Sequence, residues 1–539
     1  MAIYGIDLGT THSCIAYIDQ ADRPVILKSA IDEQTTPSVV YFESPERVVV
    51  GRAAKDTAVL APKLVVELVK RQMGEDVHYS FYGQEHTPES ISALILRELA
   101  RAAQEQTGEE VRDVVITVPA YFGVLEREAT RNAGQIAGLN VLDVLAEPVA
   151  AALDYQALGD DADARDILVY DLGGGTFDTS VIHVERNEVS AICTDGDHKL
   201  GGADWDRAVA DFLLRGFAEQ YPQLDPGGDE QFMQELATTA EQLKKALSAV
   251  SSRRPSVRFD GSVVQLELTR EHFEEITSEL LERAMEITER TIATARQRGV
   301  ERFDDVLLVG GMTMMPAIAR TLRERFGLQA RLHEPNLAVA RGAARYALVE
   351  KIKVTMPAGG DPGAAQQVAD QLDIPVEQVE AARLTKVTTV VPRAFGLRVV
   401  DTTDPLFTID RGRARTYIEH LLTANTPLPA DTPPQTFCTV DDNQRTVRLE
   451  VWEQAGAVAS DKPDDNLHIG DGRLEELPDG PAGTPFQVVF SMTETGLLKV
   501  HAWEASTKRE VRFEIQIGGL NETEVKQAAT AVARYEVSG

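Results

Sequence analysis

The sequence predicts a multidomain chain: a duplicated α/β domain over residues 1–350, a linker and insertion with a short helix over 351–386, an antiparallel β-sandwich domain over 387–519 and a short helical tail over 520–539. Three observations predict it. A turn motif, Asp7-Leu8-Gly9-Thr10-Thr11, returns in longer form as Asp171-Leu172-Gly173-Gly174-Gly175-Thr176-Phe177-Asp178, each time between two apolar, strand-like runs. The order of strands and helices after the second motif repeats the order after the first. Beyond Thr385 the apolar period changes to strict alternation, the mark of half-buried antiparallel strands.

Both motifs read as tight β-hairpin turns. Glycine lets the backbone approach a ligand there, and amides with Thr hydroxyls form an anion nest suited to phosphate. Two such hairpins suit a polyphosphate held from opposite sides, in a cleft between the two halves.

In chain order, short apolar runs broken by Asp, Pro and Gly make residues 2–50 a strand meander. Helical spacing follows over 58–73, and again over 88–106, where Pro88 suits a first turn and Ile91, Leu94, Ile95 and Leu99 share a face. A strand over 113–118, a helix, a strand over 141–145 and a helix opened by Glu147-Pro148 complete the first half. The second half offers strands through Ile192, helices over 204–220 and 231–250, one long helix over 270–298 and a strand over 305–309 before Gly310-Gly311. Residues 357–363 read as an exposed linker, and 366–383 as a short helix or a helix pair interrupted at Pro375. In the β-region Val447, Leu449 and Val451, then Val511, Phe513, Ile515 and Ile517, alternate with polar neighbours, and 486–490, 497–503 and the runs near Phe395 and Tyr417 supply further strands. The tail supports one helix and no more.

Composition narrows the function. With 85 acidic against 54 basic residues the formal charge is −31, a surface that repels nucleic acids and acidic membranes. Cys14, Cys193 and Cys438 are too few and too scattered for a disulfide framework or a zinc site, which points to the reduced cytoplasm. No leader-like start and no membrane-spanning apolar run is read from the sequence.

Phosphoryl transfer needs phosphate cradles, a metal, a positive charge and a group that positions the attacking oxygen. Asp7 and Asp171, at strand ends, suit a hydrated Mg²⁺, with local turn carboxylates as the plain alternative. Lys70 by its spacing reads as a surface lysine whose stem lies on apolar neighbours. Glu147 by itself reads as an ordinary helix-start carboxylate. Cys14 reads as a small buried residue.

Taken together, Gly5-Ile6-Asp7-Leu8-Gly9-Thr10-Thr11, Val118-Pro119-Ala120-Tyr121-Phe122, Glu147-Pro148, the octapeptide at Asp171, Leu200-Gly201-Gly202 and Val309-Gly310-Gly311 stand in the order of the DnaK-type heat-shock chaperones, and Asp442-Asn443-Gln444 and Gly519-Leu520-Asn521 continue the resemblance. It implies an actin-like, ribonuclease-H-like duplicated ATPase domain controlling a β-sandwich that grips extended apolar peptides. It implies ATP or ADP with Mg²⁺ as cofactors, and a J-domain co-chaperone and a nucleotide-exchange factor as partners. Thr10, Thr11, Gly173, Gly174, Gly175 and Thr176 resemble the phosphate loops, and Asp7 and Asp171 the outer-shell magnesium ligands. Lys70 is similar to the catalytic lysine, and Glu147 and Thr176 to the residues that position water and γ-phosphate. Gly201, Gly202, Glu241, Lys244, Ser248, Gly310 and Gly311 resemble the remaining nucleotide contacts. Pro119 and Arg127 resemble a proline switch and its arginine partner. Val400, Phe437, Val440 and Val447 fall at positions similar to the peptide channel.

Four departures stand against the family pattern. Met314 replaces the arginine that packs on adenine, leaving a polarizable sulfur in place of a cation. Asp143 and Ala146 replace basic and amide residues that serve J-domain coupling. A polar insertion replaces the leucine-rich linker before 388–392, and the chain stops where the family's helical lid begins. The resulting expectation is an ATP-hydrolysing, lidless chaperone. The alternative is a nucleotide-sensing scaffold or exchange-factor-like module that recognises one dedicated partner.

Overall fold

The computed structural model describes residues 3–157, 164–356, 363–409, 413–504, 510–514 and 520–539. Two six-stranded sheets organise its first two thirds, and five strands of each are connected alike. In the first, Asn140–Ala146, Asp113–Val118 and Tyr4–Asp7 run parallel, and Tyr4–Asp7 continues antiparallel through His12–Ile18 to Pro24–Leu27. In the second, Ala330–Leu332, Asp305–Val309 and Arg165–Leu172 run parallel, followed antiparallel by Phe177–Glu185 and Glu188–Asp197. Both Asp-Leu-Gly motifs therefore close a hairpin at the same place in the two sheets.

The helices Glu147–Gln156 and Ala338–Thr355 pack on each other, the first also against the second sheet and the second against the first. Small residues make this contact close. A Cβ on Gly342 would lie 1.7 Å from the Ala150 carbonyl oxygen, and one on Gly5 would lie 2.0 Å from the Ala344 nitrogen.

The helix expected over 58–73 is not formed. Its apolar spacing instead serves a short strand, Val65–Val66, on the edge of Val40–Phe42, and a 3₁₀ turn, Val69–Gln72, entered through Leu68 at φ 58°. Val66, Val69 and Met73 are all buried in the first-lobe core, so the burial pattern is real and only the period misleads. The long helix over 270–298 divides into Arg270–Ile276 and Ser278–Gln297. At the break the buried Thr277 hydroxyl donates to the Phe273 carbonyl at 2.7 Å, a local bond that competes with the helix ladder.

Residues 357–362 of the expected linker lie outside the described residues. The helices Ala364–Leu372 and Val376–Leu384 bury Val368, Leu372 and Val379 in the core shared by both sheets. Lys386–Thr388 then pairs parallel with Glu188–Asp197 as the edge strand of the second sheet. The β-region has two sheets, Thr416–Leu422, Phe395–Val400, Val447–Gln454 and Asn466–Leu474 in one, and Pro485–Met492, Leu498–Trp503 and Glu510–Glu514 in the other. The expected strand at Val511 is thus formed as far as Glu514, while Ile515, Ile517 and Gly519 lie outside the described residues.

The core of the β-region extends onto Val124 and Leu125 of the first lobe. Beside it lies a buried ionic cluster. Arg393 Nη2 is 3.0 Å from Glu126 Oε1, its Nη1 is 3.9 Å from Glu453 Oε2, and its guanidinium sits 4.8 Å from the Tyr121 ring centroid. The Val124 amide donates to Glu453 Oε1 at 3.1 Å. Burial, with the Glu126 charge adding to it and Arg393 and Arg127 opposing it, raises the Glu453 carboxyl from 4.5 to about 7. The docked arrangement holds that proton more tightly than a separated one, so docking should weaken as pH rises from about 4.5 through about 7. Energy transfer between labels on the first lobe and the β-region, followed across this range, should show the loss, and Glu453→Gln should flatten the profile. A flat wild-type profile would contradict the assignment.

The tail corrects another expectation. It forms the helix Glu522–Val532 and a further strand, Glu536–Ser538, which pairs parallel with Arg47–Val50 of the first lobe.

Candidate functional site

The two hairpins meet. A Cβ on Gly174 would lie 2.3 Å from the Thr11 side chain, and one on Gly175 2.3 Å from that of Thr10, so each threonine of the first turn touches a glycine of the second. The second turn is held from behind: Gly202 and Ala203, at the start of the helix Gly202–Gln220, donate their amides to the carbonyls of Gly173 and Gly174 at 3.0 and 2.8 Å. Gly201 fits against Gly175, where a Cβ would stand 2.5 Å from backbone.

Beside the turns opens a cleft of about 290 Å³ lined by Asp7, Thr10, Thr11, Lys70, Glu147, Asp171, Gly173, Gly174 and Thr176. Gly202, Glu241, Lys244, Gly310, Gly311 and Met314 line it as well. Gly310 has φ 81° and lies so close to the Asp171 strand that a Cβ would meet the Leu172 carbonyl oxygen at 2.4 Å, which only glycine satisfies. Gly175 and Gly201 stand behind the lining. Ser248 caps the helix Glu230–Leu247, one turn beyond Lys244.

Lys70 is 3% exposed, which overturns its reading as a surface lysine. Its Nζ donates to Glu147 Oε1 at 2.5 Å and lies 5.8 Å from the Phe122 ring centroid. Glu147 is the first residue of its helix, as its sequence context required. Around this pair are buried carboxylates. Burial and the Glu147 charge raise Asp7 to about 7, and the same causes push Asp171 well above the usual range. Asp178 accepts the Tyr121 amide at 2.9 Å and is raised to about 8, by burial and then by Glu147. Four acids thus lie around Lys70.

That excess of buried negative charge fits a divalent cation, which Asp7 and Asp171 would hold. Among the described residues no group of three or more His, Cys, Asp or Glu is placed to hold a metal ion.

Glu241, expected at the adenosine, is also engaged across the cleft. Lys55 Nζ from the first lobe stands 2.5 Å from its Oε2, and Lys245 Nζ 2.6 Å from its Oε1. Burial opposes ionisation there, but the two lysines more than offset it and hold the carboxyl at about 2. Lys244 is similarly committed, donating to Asp206 Oδ2 at 2.8 Å and to the Gly202 carbonyl at 3.0 Å. Since the Lys55–Glu241 pair ties the lobes, Glu241→Ala should speed nucleotide release severalfold in a stopped-flow chase. An unchanged release rate would mean that the pair does not restrain the cleft.

Several residues at or beside the cleft escaped the sequence reading. Asp178 ends the octapeptide itself. Arg71, next to Lys70, donates Nε to the Gly175 carbonyl at 2.9 Å and pairs with Asp204. His12 lines the cleft, its pKa lowered to about 4 by burial and the nearby Lys245 and Lys55. Only adjacency to named motifs signalled them. Cys14 is buried, with Sγ 3.8 Å from the Asn336 carbonyl.

Arg127 donates to the carbonyls of Phe122 and Val144 at 3.2 and 3.3 Å, so it serves the segment after Pro119. Asp143 is buried and accepts from Tyr346 at 3.0 Å and Arg131 at 3.4 Å, beside a cavity of about 660 Å³ between the first lobe, the helix Ala338–Thr355, residues 383–392 and the β-region. In the β-region Val400, Phe437, Val440 and Val447 are half-buried. Val400 and Val447 lie at the same end of neighbouring antiparallel strands, and Phe437 stacks on Phe486 with centroids 6.0 Å apart.

The cleft thus combines two glycine–threonine turns, a buried lysine and clustered acids. The family model described as Hsp70 protein matches residues 3–356 and 381–537, nearly the whole chain, and the chain belongs to this family of chaperones. The unmatched stretch 357–380 contains the helix Ala364–Leu372. No helix among the described residues is long and apolar enough to cross a membrane.

Proposed function

We propose that this chain is an ATP-hydrolysing chaperone of the cytoplasm, in which an actin-like domain controls a β-sandwich that binds extended apolar peptide segments. The repeated sheet connectivity supports the actin-like reading. The single observation that carries the ATPase assignment is the buried Lys70–Glu147 pair at the meeting point of the two hairpins.

In this reading Thr10, Thr11 and residues 173–176 cradle the phosphates of ATP, and Lys70 offsets negative charge that grows on the transferring group. Glu147 orients the attacking water and Thr176 the γ-phosphate. Asp7 and Asp171 hold a hydrated Mg²⁺, which when bound neutralises phosphate charge. Gly202, Glu241, Lys244, Gly310, Gly311 and Met314 border the nucleoside. Catalysis is by positioning and charge compensation, without a covalent intermediate.

Val400, Phe437, Val440 and Val447 form the peptide-binding surface, and the cavity beside Asp143 is where a J-domain partner would act on the linker strand. An exchange factor would act on the lobe pair held by Lys55 and Glu241. Phosphate release from ATP, measured with and without an extended apolar peptide, tests the proposal: slow hydrolysis stimulated by peptide is expected. Hydrolysis indifferent to every peptide tried would remove the coupling.

A further inference from the structure

The segment 521–538 has no part in the cleft chemistry, yet it is built firmly into the first lobe. Asn521 caps the helix Glu522–Val532 in a reciprocal capping box with Glu524. Val525 and Val532 are buried in the first-lobe core, against the helices Pro88–Thr107 and Val124–Ile136. Arg97 donates to the Val532 carbonyl, one of the acceptors that a helix end leaves open.

Tyr535 follows, 3% exposed. Its hydroxyl donates to Gln84 Oε1 at 2.8 Å and meets Nε2 of His86 at 3.0 Å, while its ring lies edge-on to Phe42 at 5.9 Å. Glu536–Ser538 then adds a parallel strand to Arg47–Val50, with Val537 opposite Val48. An edge strand is a ready template for such pairing, and here this chain covers its own edge.

The β-region is therefore strung between the lobes. It is entered from the second lobe, through the pairing of Lys386–Thr388 with Glu188–Asp197, and left toward the first, through this segment. Every contact just named for residues 521–538 lies within the first lobe. A ligand shifts an equilibrium only by differential interaction with its two states, and one that turns the lobes against each other alters no contact made with a single lobe. We infer that the strand Glu536–Ser538 is a clasp that keeps this segment on the first lobe in every nucleotide state, so that the β-region stays strapped to both lobes and moves as a lever between them.

The inference rests on nucleotide binding in the cleft and not on peptide binding. Hydrogen exchange on the full chain tests it. Amides of 536–538 and 47–50 should be equally protected without nucleotide, with ADP and with ATP. Tyr535→Ala should speed their exchange by roughly tenfold or more, and Tyr535→Phe, which keeps the ring and loses the hydroxyl bonds, should speed it by less. Protection present with ATP and lost with ADP in the unmodified chain would overturn the clasp, as would exchange in Tyr535→Ala equal to that of the unmodified chain. Nucleotide binding is measured separately, so failure of the cleft reading shows as absent binding while the protection of 536–538 still decides the clasp.

Discussion

Replacing Lys70 with alanine should leave the protein folded and cut ATP hydrolysis by at least roughly 100-fold, the scale seen when one preorganised charge-stabilising group is removed. Lys70 is a buried cation set against Glu147, Asp7, Asp171 and Asp178. Without it the site cannot offset charge that develops on the phosphoryl group. Folding should survive because the carboxylates have another way to shed charge: Asp7 and Asp178 already titrate near 7 and 8, and removing the lysine raises them further. A melting curve and a nucleotide-binding titration separate the two effects. Near-normal turnover in a folded, nucleotide-bound variant would remove Lys70 from the chemistry.

The second large effect is on stability. Gly342→Ala should destabilise the protein by roughly 3 kcal/mol or more, at or beyond the upper end for overpacked sites, because the obstacle is backbone. The new methyl would stand 1.7 Å from the Ala150 carbonyl oxygen and 2.4 Å from its carbon. Relief requires the helices Glu147–Gln156 and Ala338–Thr355 to part, which also moves Glu147 relative to Lys70. Activity and stability should therefore fall together. Gly228→Ala is the control, since a Cβ there meets nothing within 4 Å. Equal unfolding midpoints in urea for the two variants would contradict the packing argument.

What could be read from the sequence follows from how local its cause is. The hairpins were legible because strand, turn and strand are contiguous, and because glycine next to threonine has a specific physical use. The same holds for the helix Pro88–Thr107, whose cap residue Thr87 and apolar face lie within one window. The stretch 58–73 was misread because burial of Val66, Val69 and Met73 at helical spacing is imposed by a distant partner, the strand Val40–Phe42. Strand Glu536–Ser538 was missed for the same reason, its partner lying near the other end of the chain.

Within the cleft, spacing alone made Lys70 a surface residue and Glu147 a helix-start acid. Their pairing depends on a fold that brings together residues 77 positions apart, which no local period encodes. The resemblance supplied those roles. The linker-and-insertion stretch 351–386 shows the converse case. Its broken helix pair was legible at Pro375, but its packing on the core shared by both sheets was not.

The central claim is that nucleotide in the cleft governs peptide held by the β-region. The most direct test is the dissociation rate of a fluorescent extended apolar peptide from the full chain, first with ADP bound and then after ATP is added. The account predicts faster release with ATP, and loss of that acceleration when Asp171 and Thr176 are both replaced by alanine. A release rate that is the same with ADP and ATP, in protein shown to bind both, would contradict it.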